Sequence, residues 1–506
     1  MNMRKLLLAL LLAAPCWPAE DRYLEVARKF IETMMEKGTD HYGTEHSPLF
    51  AAMLDLNTLS LPVPNPPEQF FATTSGQIGS IGFGLPHPPV GIRPGDRAPL
   101  GNNLEHDIVL LQAMYALSAL TADQRYAAHA DAYLRFWLTH CLSPVTGLPA
   151  SGEHMSWDFV RERAHGNVHE VYRRFPFHDK LYAIDPNLAL RIADGLWLYK
   201  MGNRKVGDFS RHSGYAAYQT DTGAAYPRHA GFYIWSYANA YVQSRDPKYV
   251  DRIEVLIESR TGRRLHSESL LVERGSFEPE HSTAPALRIL LWDAAELAPH
   301  RRAVWRKLTR ELDEAALQES ERAPAKRPVV PGEGPVPGLL RFGRVLANRS
   351  GHVVSTTLSP LWAQGYGSAG VSGDALEDLT RFKQTADERF LRRAERIADQ
   401  YLAEGFPKKT EDLWPRASGQ VISLLLGLAR ENGIPQDKRQ RYTFFAREVA
   451  DRSIPLFLKN NLFRADGAAD HYEAITGADD LVYALLQLHA ALNKPDHPLP
   501  HIDANL

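Results

Sequence analysis

The chain has 506 residues, 23% of them charged and 44% hydrophobic, with 58 basic against 60 acidic side chains for a net charge of −2. This composition belongs to a globular chain with a sizeable core and excludes a disordered or collagen-like one. Balanced charge gives no global basic field, so no nucleic-acid partner is expected, and two cysteines, Cys16 and Cys141, exclude a disulfide scaffold.

Residues 1–19 read as an export signal. Arg4 and Lys5 precede an apolar run over 6–14, Pro15 breaks it, and the chain turns polar at Glu20. The run is too short to span a membrane, and no later run is long and apolar enough to do so. Lipid attachment at Cys16 is the rival reading, with Pro15 standing where a small residue is usual. The expected location is periplasmic or secreted.

Helical spacing dominates the remainder. Leu24, Ala27, Phe30, Ile31 and Met34 share one face, and Gly38 supplies a stop. Stripes follow over 104–118 (Leu104, Ile108, Leu111, Tyr115) and 123–140 (Tyr126, Ala130, Tyr133, Leu134, Trp137). Similar patterns predict helices near 186–200, 229–243, 248–259, 283–297, 301–317, 385–403, 416–431, 438–458 and 479–491. Strand-like alternation is weak and best over 351–358. The connections before Tyr126 and Tyr249 look alike, each placing an aspartate, Asp123 or Asp246, three residues ahead of the tyrosine. Each reads as the turn of a helical hairpin, and repeated hairpins stack as a solenoid or close into a toroid. Long inserts at 57–101, 143–185 and 202–228 favour a toroid whose loops crowd one end. A Pro/Gly-rich stretch at about 319–375 is a lid or a connection. The expectation is an all-α chain, with 20–506 forming a single catalytic domain.

Polar clusters collect at loop-to-helix junctions: Asn102-Asn103, Glu153-His154 with Trp157 and Asp158 behind, His165 and His169-Glu170, Tyr226 with Arg228-His229 and Tyr233, and Glu280-His281. His229 and Tyr233 are one helical turn apart, and Arg228 at the helix entrance favours an anion. His165 and His169 would pair on a metal only if they shared a helical turn. Gly166 and Asn167 argue for a loop, so no metal and no other cofactor are expected. Asparagine, histidine, arginine and tyrosine together suit β-elimination of a uronic-acid polysaccharide. Hydrogen bonds and positive charge neutralise the uronate carboxylate, and a tyrosine takes the C5 proton and returns it to the leaving C4 oxygen.

These segments, together with Asp40-His41-Tyr42-Gly43 and Ser47-Pro48-Leu49-Phe50, resemble the helical-toroid polysaccharide lyases, and most of all polysaccharide lyase family 38. The resemblance implies an (α/α) barrel of seven hairpins cleaving glucuronan or alginate. By that analogy Tyr233 is the first candidate for base and acid, with Tyr226 second, while His154, His169, Arg228, His229 and Asn103 hold and neutralise the carboxylate. Asn102, Glu153, Trp157, Tyr226, Glu280 and His281 complete the substrate-binding rim. The adjacent Asn-His pair of several alginate lyase families is absent, since Val168 separates Asn167 from His169. Two alternatives stay open: an inverting glycoside hydrolase using two of Glu153, Asp158, Glu170 and Glu280, or a glycan-binding protein without turnover.

Overall fold

A computed structural model describes residues 21–62, 85–152, 154–218, 227–259, 284–322, 339–342, 345–348, 353–365 and 370–502. The leader 1–19, with Cys16, lies outside the described residues. So do Glu153, Tyr226, Glu280, His281 and parts of the 319–375 insert.

Fourteen α-helices stand among the described residues, and they alternate in character. They are α1 (Arg22–Thr33), α2 (Leu104–Thr121), α3 (Arg125–His140), α4 (His178–Ile184), α5 (Pro186–Tyr199), α6 (Pro227–Ser244) and α7 (Lys248–Ile257). After these come α8 (Ala284–Leu297), α9 (Arg302–Arg322), α10 (Gly370–Thr385), α11 (Glu388–Glu404), α12 (Pro415–Ala429), α13 (Gln436–Phe457) and α14 (Ala478–Asn493). α2, α12 and α14 are buried on nearly every side, as a helix walled in by others must be. α1, α7 and α11 bury a single stripe and turn charge outward.

Packing follows that division. α14 packs on α2 and α12, α12 on α10, α10 on α8, and α8 on α6. The short α4 closes the circuit, touching α6 on one side and reaching α2 through Phe177 against Tyr115, with the Lys180 ammonium over the same tyrosine ring. The odd-numbered helices pack outside, each against its hairpin partner, and α1 covers α14 so that the two ends of the chain meet. The result is a ring of seven hairpins. The expected all-α fold is what the structure has.

Two predicted features differ. The Gly-rich end of the 319–375 insert already belongs to α10, whose Gly370 packs closely on Gln364 while Val371, Ala375, Leu376 and Leu379 face the core. α4 is too short to leave a periodic signature. In the insert, Leu339–Phe342, Val345–Asn348 and Val353–Ser355 form a small antiparallel sheet, which includes the weak strand signal near 351–358.

The two ends of the ring are built differently. Inner helices pass to outer ones through turns such as 122–124, 245–247 and 386–387, while long segments lead into every inner helix. Those segments pair with one another: Met53–Asp55 with His471–Glu473, Gly101–Asn102 with Ser156–Asp158, and Val168–His169 with Ser213–Gly214. The first pairing is locked by a buried ion pair in which one guanidinium edge of Arg97, Nε and Nη2, donates to both oxygens of Glu473, at 2.8 and 2.9 Å.

Burial alone would raise the Glu473 carboxyl, but the Arg97 charge and the His471 hydrogen bond draw it down to about 2. A folded value below the unfolded one stabilises the protein fully above the unfolded value and is lost as pH falls towards the folded one. Glu473→Gln should therefore destabilise the fold by about 3–5 kcal/mol near neutral pH. Denaturant unfolding should show the gap to wild type narrowing from about pH 4.5 down to about pH 2.

Candidate active site

The site grows from one close approach of backbone to backbone. Gly152 has a φ of +126°, and a Cβ there would lie 2.3 Å from the Glu170 carbonyl oxygen, so only glycine fits. Asn103, the N-cap of α2, fixes the same loop: its amide nitrogen donates to the Gly152 carbonyl at 2.7 Å while its oxygen accepts from the Glu105 N–H. Both contacts bring the loop carrying His154 beside Glu170, which directly follows the strand Val168–His169.

A second pairing delivers the other half. The strand ending at His169 pairs with Ser213–Gly214, which brings Arg211 and His212 to Glu170. Lys200 is fully buried and donates to the carbonyls of His169 and Arg211, each at 2.7 Å. One ammonium thus staples the two backbone segments together. Burial pulls that ammonium down to about 7, against the raising influence of Glu170 and Glu105.

Around the buried Glu170 carboxylate, His229 Nε2 lies 2.8 Å from Oε1, His212 Nε2 lies 3.2 Å from Oε2, and an Arg211 Nη lies 3.8 Å from Oε1. The His229 ring is held neutral by burial, at about 3 despite Glu170, so its Nε2–H is the donor. His154 completes the group, with its ring edge-to-face on His212 at 5.4 Å and its Nδ1 3.7 Å from Asp96, which Arg93 pairs in turn.

His154, Glu170 and His212 offer ligand atoms that all lie within 4.8 Å of one another. Two imidazoles and a carboxylate are a donor set for a divalent first-row cation, and Asp96 and His229 occupy the outer positions that orient such ligands. The sequence suggested no metal because it weighed His165 with His169. That pair is split: His165 sits in the strand beside Ser156, and His169 is buried with no hydrogen bond to either ring nitrogen among the described residues.

Other predicted residues fall elsewhere. Tyr233 is fully buried, its hydroxyl donating to the Ser210 carbonyl at 3.2 Å and its ring edge-on to Phe209, and burial raises the phenol well above its ordinary range. It supports the segment leading to Arg211 rather than facing the cleft. Asn102 spends its amide on the Phe50 carbonyl, Asp107 and Tyr133. Trp157 is core, edge-on to Phe136, and Asp158 caps its own turn through the N–H groups of Val160 and Arg161. Arg228 stays half-buried at the first turn of α6, within the field of Glu377 on α10. Asp96, Lys200, Arg211 and His212 were missed. The available signal was a second Arg-His dipeptide, 211–212, in the same insert region as 228–229.

Residues 93–230 match the family model described as periplasmic pectate lyase, a carbohydrate-processing enzyme. That stretch is a minority of the chain yet holds every residue of the cluster. Family 38 in particular is not singled out. Solved structures with similarity include the α-1,6-mannanase GH76A of Salegentibacter sp. HEL1_6, at 10% identity over 93% of this chain and 99% of that one with a TM-score of 0.41. An unsaturated glucuronyl hydrolase specific for heparin matches at 11% identity over 96% and 100% of the two chains, with a TM-score of 0.42. At such scores neither bears on activity. No described helix is long and apolar enough to cross a membrane.

If Lys200 holds the two ligand-bearing segments in register, Lys200→Met should weaken Mn²⁺ binding by about 10- to 100-fold, the range seen when a ligand's support is removed. Glu170→Ala should abolish binding. Calorimetric titration of the chelator-treated protein measures both, and unchanged affinity in Lys200→Met would rule out the staple.

Proposed function

We propose that this protein is an exported, cation-assisted lyase that cleaves a galacturonate polymer, pectate, by β-elimination. The observation that carries the reading is the His154–Glu170–His212 donor set with Arg211 beside it. The periplasmic pectate lyase description over 93–230 supports the substrate, in place of the glucuronan or alginate expected from sequence, and supports the export suggested by residues 1–19.

When bound, a divalent cation would neutralise the uronate carboxylate and so make the C5 proton acidic. The chain's own residues do the rest. Glu170, oriented by the His229 N–H, and the two imidazoles hold that charge at the cleft. A guanidine is a stronger base than a phenolate, and it accepts a proton once neighbouring positive charge favours its neutral form. Arg211 is one-quarter exposed at the edge of the cluster, so it is our candidate for the C5 base. Tyr233, sealed beneath, has no path to a sugar. Loss of the C5 proton to Arg211 breaks the bond from C4 to its oxygen and leaves a double bond between C4 and C5. The departing oxygen takes up a proton from Arg211 or from solvent to become a hydroxyl.

The hydrolase alternative has weaker support. It needs two carboxyls facing one sugar. Among the described candidates Asp158 is committed to its own turn, while Glu170 is ringed by His229, His212 and Arg211; Glu153 and Glu280 lie outside the described residues.

The test is near-ultraviolet absorbance of the conjugated product with polygalacturonate, polymannuronate and glucuronan. Only the first should respond; a chelator should abolish the signal and Mn²⁺ restore it. Arg211→Ala and Arg211→Lys should each lose about 10²–10⁴-fold in kcat, the usual contribution of a positioned base. Tyr233→Phe, if folded, should keep kcat within a few-fold. Full activity in Arg211→Ala or in Glu170→Ala would overturn the assignment.

A further inference from the structure

Three nitrogen-bearing side chains gather near the cation ligands, and two of them hold donors without acceptors among the described residues. Arg173 follows Glu170 by three residues, which limits their separation along the backbone to about 10 Å. Its guanidinium lies 5.7 Å from the centre of the Tyr172 ring and makes no hydrogen bond or ion pair among the described residues. His106, in the first turn of α2, is 3% exposed and edge-to-face with the same Tyr172 ring at 6.3 Å. The amide of Asn103 donates towards His106 Nε2 at 3.5 Å, which leaves the ring proton on Nδ1, and Nδ1 has no partner among the described residues. A buried N–H without an acceptor is costly unless a ligand supplies one.

Arg416, in the first turn of α12, is the third member. Its Nη2 donates to the Ile475 carbonyl at 2.9 Å and its Nε lies 3.6 Å from Asp480. Arg173 acts electrostatically on both His106 and Arg416, so the three share one region at the mouth of the ring. Most carboxyls nearby have partners of their own: Glu473 is bound by Arg97, Glu105 accepts the Tyr172 N–H, and Asp480 faces one edge of Arg416. Asp479 meets the Tyr472 hydroxyl with one oxygen and lies within the field of Arg173 with the other unbonded among the described residues. Two guanidiniums, an orphan imidazole N–H and the N-terminal ends of two inner helices call for an anion.

We propose that Arg173, His106 and Arg416 bind the carboxylate of a second uronate residue of the chain whose neighbouring residue is cleaved at the triad. This rests on the lyase reading above. The site would make the enzyme count charges along its polymer, favouring consecutive free uronates over esterified ones.

The test compares wild type, Arg173→Ala and Arg173→Lys on polygalacturonate and on its partially methyl-esterified form. Arg173→Ala should raise KM on the free acid by about tenfold, the scale of a lost charge-assisted hydrogen bond, with kcat nearly constant. Arg173→Lys should recover part of the loss, and Mn²⁺ affinity and thermal midpoint should not move. Esterification should penalise wild type more than Arg173→Ala. An unchanged KM, or an equal esterification penalty in both, would overturn the proposal. If wild type forms no unsaturated product, the lyase reading has failed. Calorimetric binding of saturated oligogalacturonate to wild type and Arg173→Ala then decides this site independently, with equal affinities counting against it.

Discussion

A carboxylate removed from water must be met by positive charge or hydrogen-bond donors, and the fold around Glu170 is arranged to do this. Its two oxygens face His229, His212 and Arg211, which come from a helix start and a loop that both lie far along the chain from Glu170 itself. Holding those groups there requires the Lys200 bridge between two backbones, the glycine at 152 that lets one chain press on another, and the Asn103 cap that ties the loop to α2. Each support is itself buried and hydrogen-bonded. A site with so many constraints keeps its geometry before any ligand arrives, which is what a charge-stabilising active site needs.

The ring supplies the stiffness beneath. Apolar inner helices leave no room to slide, and the amphipathic outer helices shield them. Closure depends on contacts between the beginning and the end of the chain, where α1 covers α14 and Arg97 grips Glu473. Short turns at one end and long paired segments at the other gather the polar chemistry on a single face.

Much of this was legible in the sequence. Most helices announce themselves by periodicity, though not which of them stand inside, and the loop inserts pointed to one crowded end. His154, Glu170 and His229 stood out because each lies in a polar cluster next to a helix or strand. Depth was not legible: Tyr233 shares a helix face with His229, but spacing along a helix says nothing about how far each reaches towards solvent. Asn102 and Trp157 misled in the same way, as polar and aromatic residues beside a helix start that turn inward. Arg211 and His212 lie in a loop without period, and only the pairing of Val168–His169 with Ser213–Gly214 brings them to Glu170. α10 was hidden because glycines that read as a loop stand in its first turn, where Gly370 packs closely on Gln364.

The central claim is that this face of the ring breaks a polyuronate by elimination, without adding water. Digesting polygalacturonate in water enriched in heavy oxygen and weighing the fragments tests it most directly. Elimination predicts fragments one water lighter at the new non-reducing end, with no heavy oxygen incorporated by bond cleavage. Fragments of full hydrated mass carrying the label would contradict the account and assign Glu170 to a hydrolase instead.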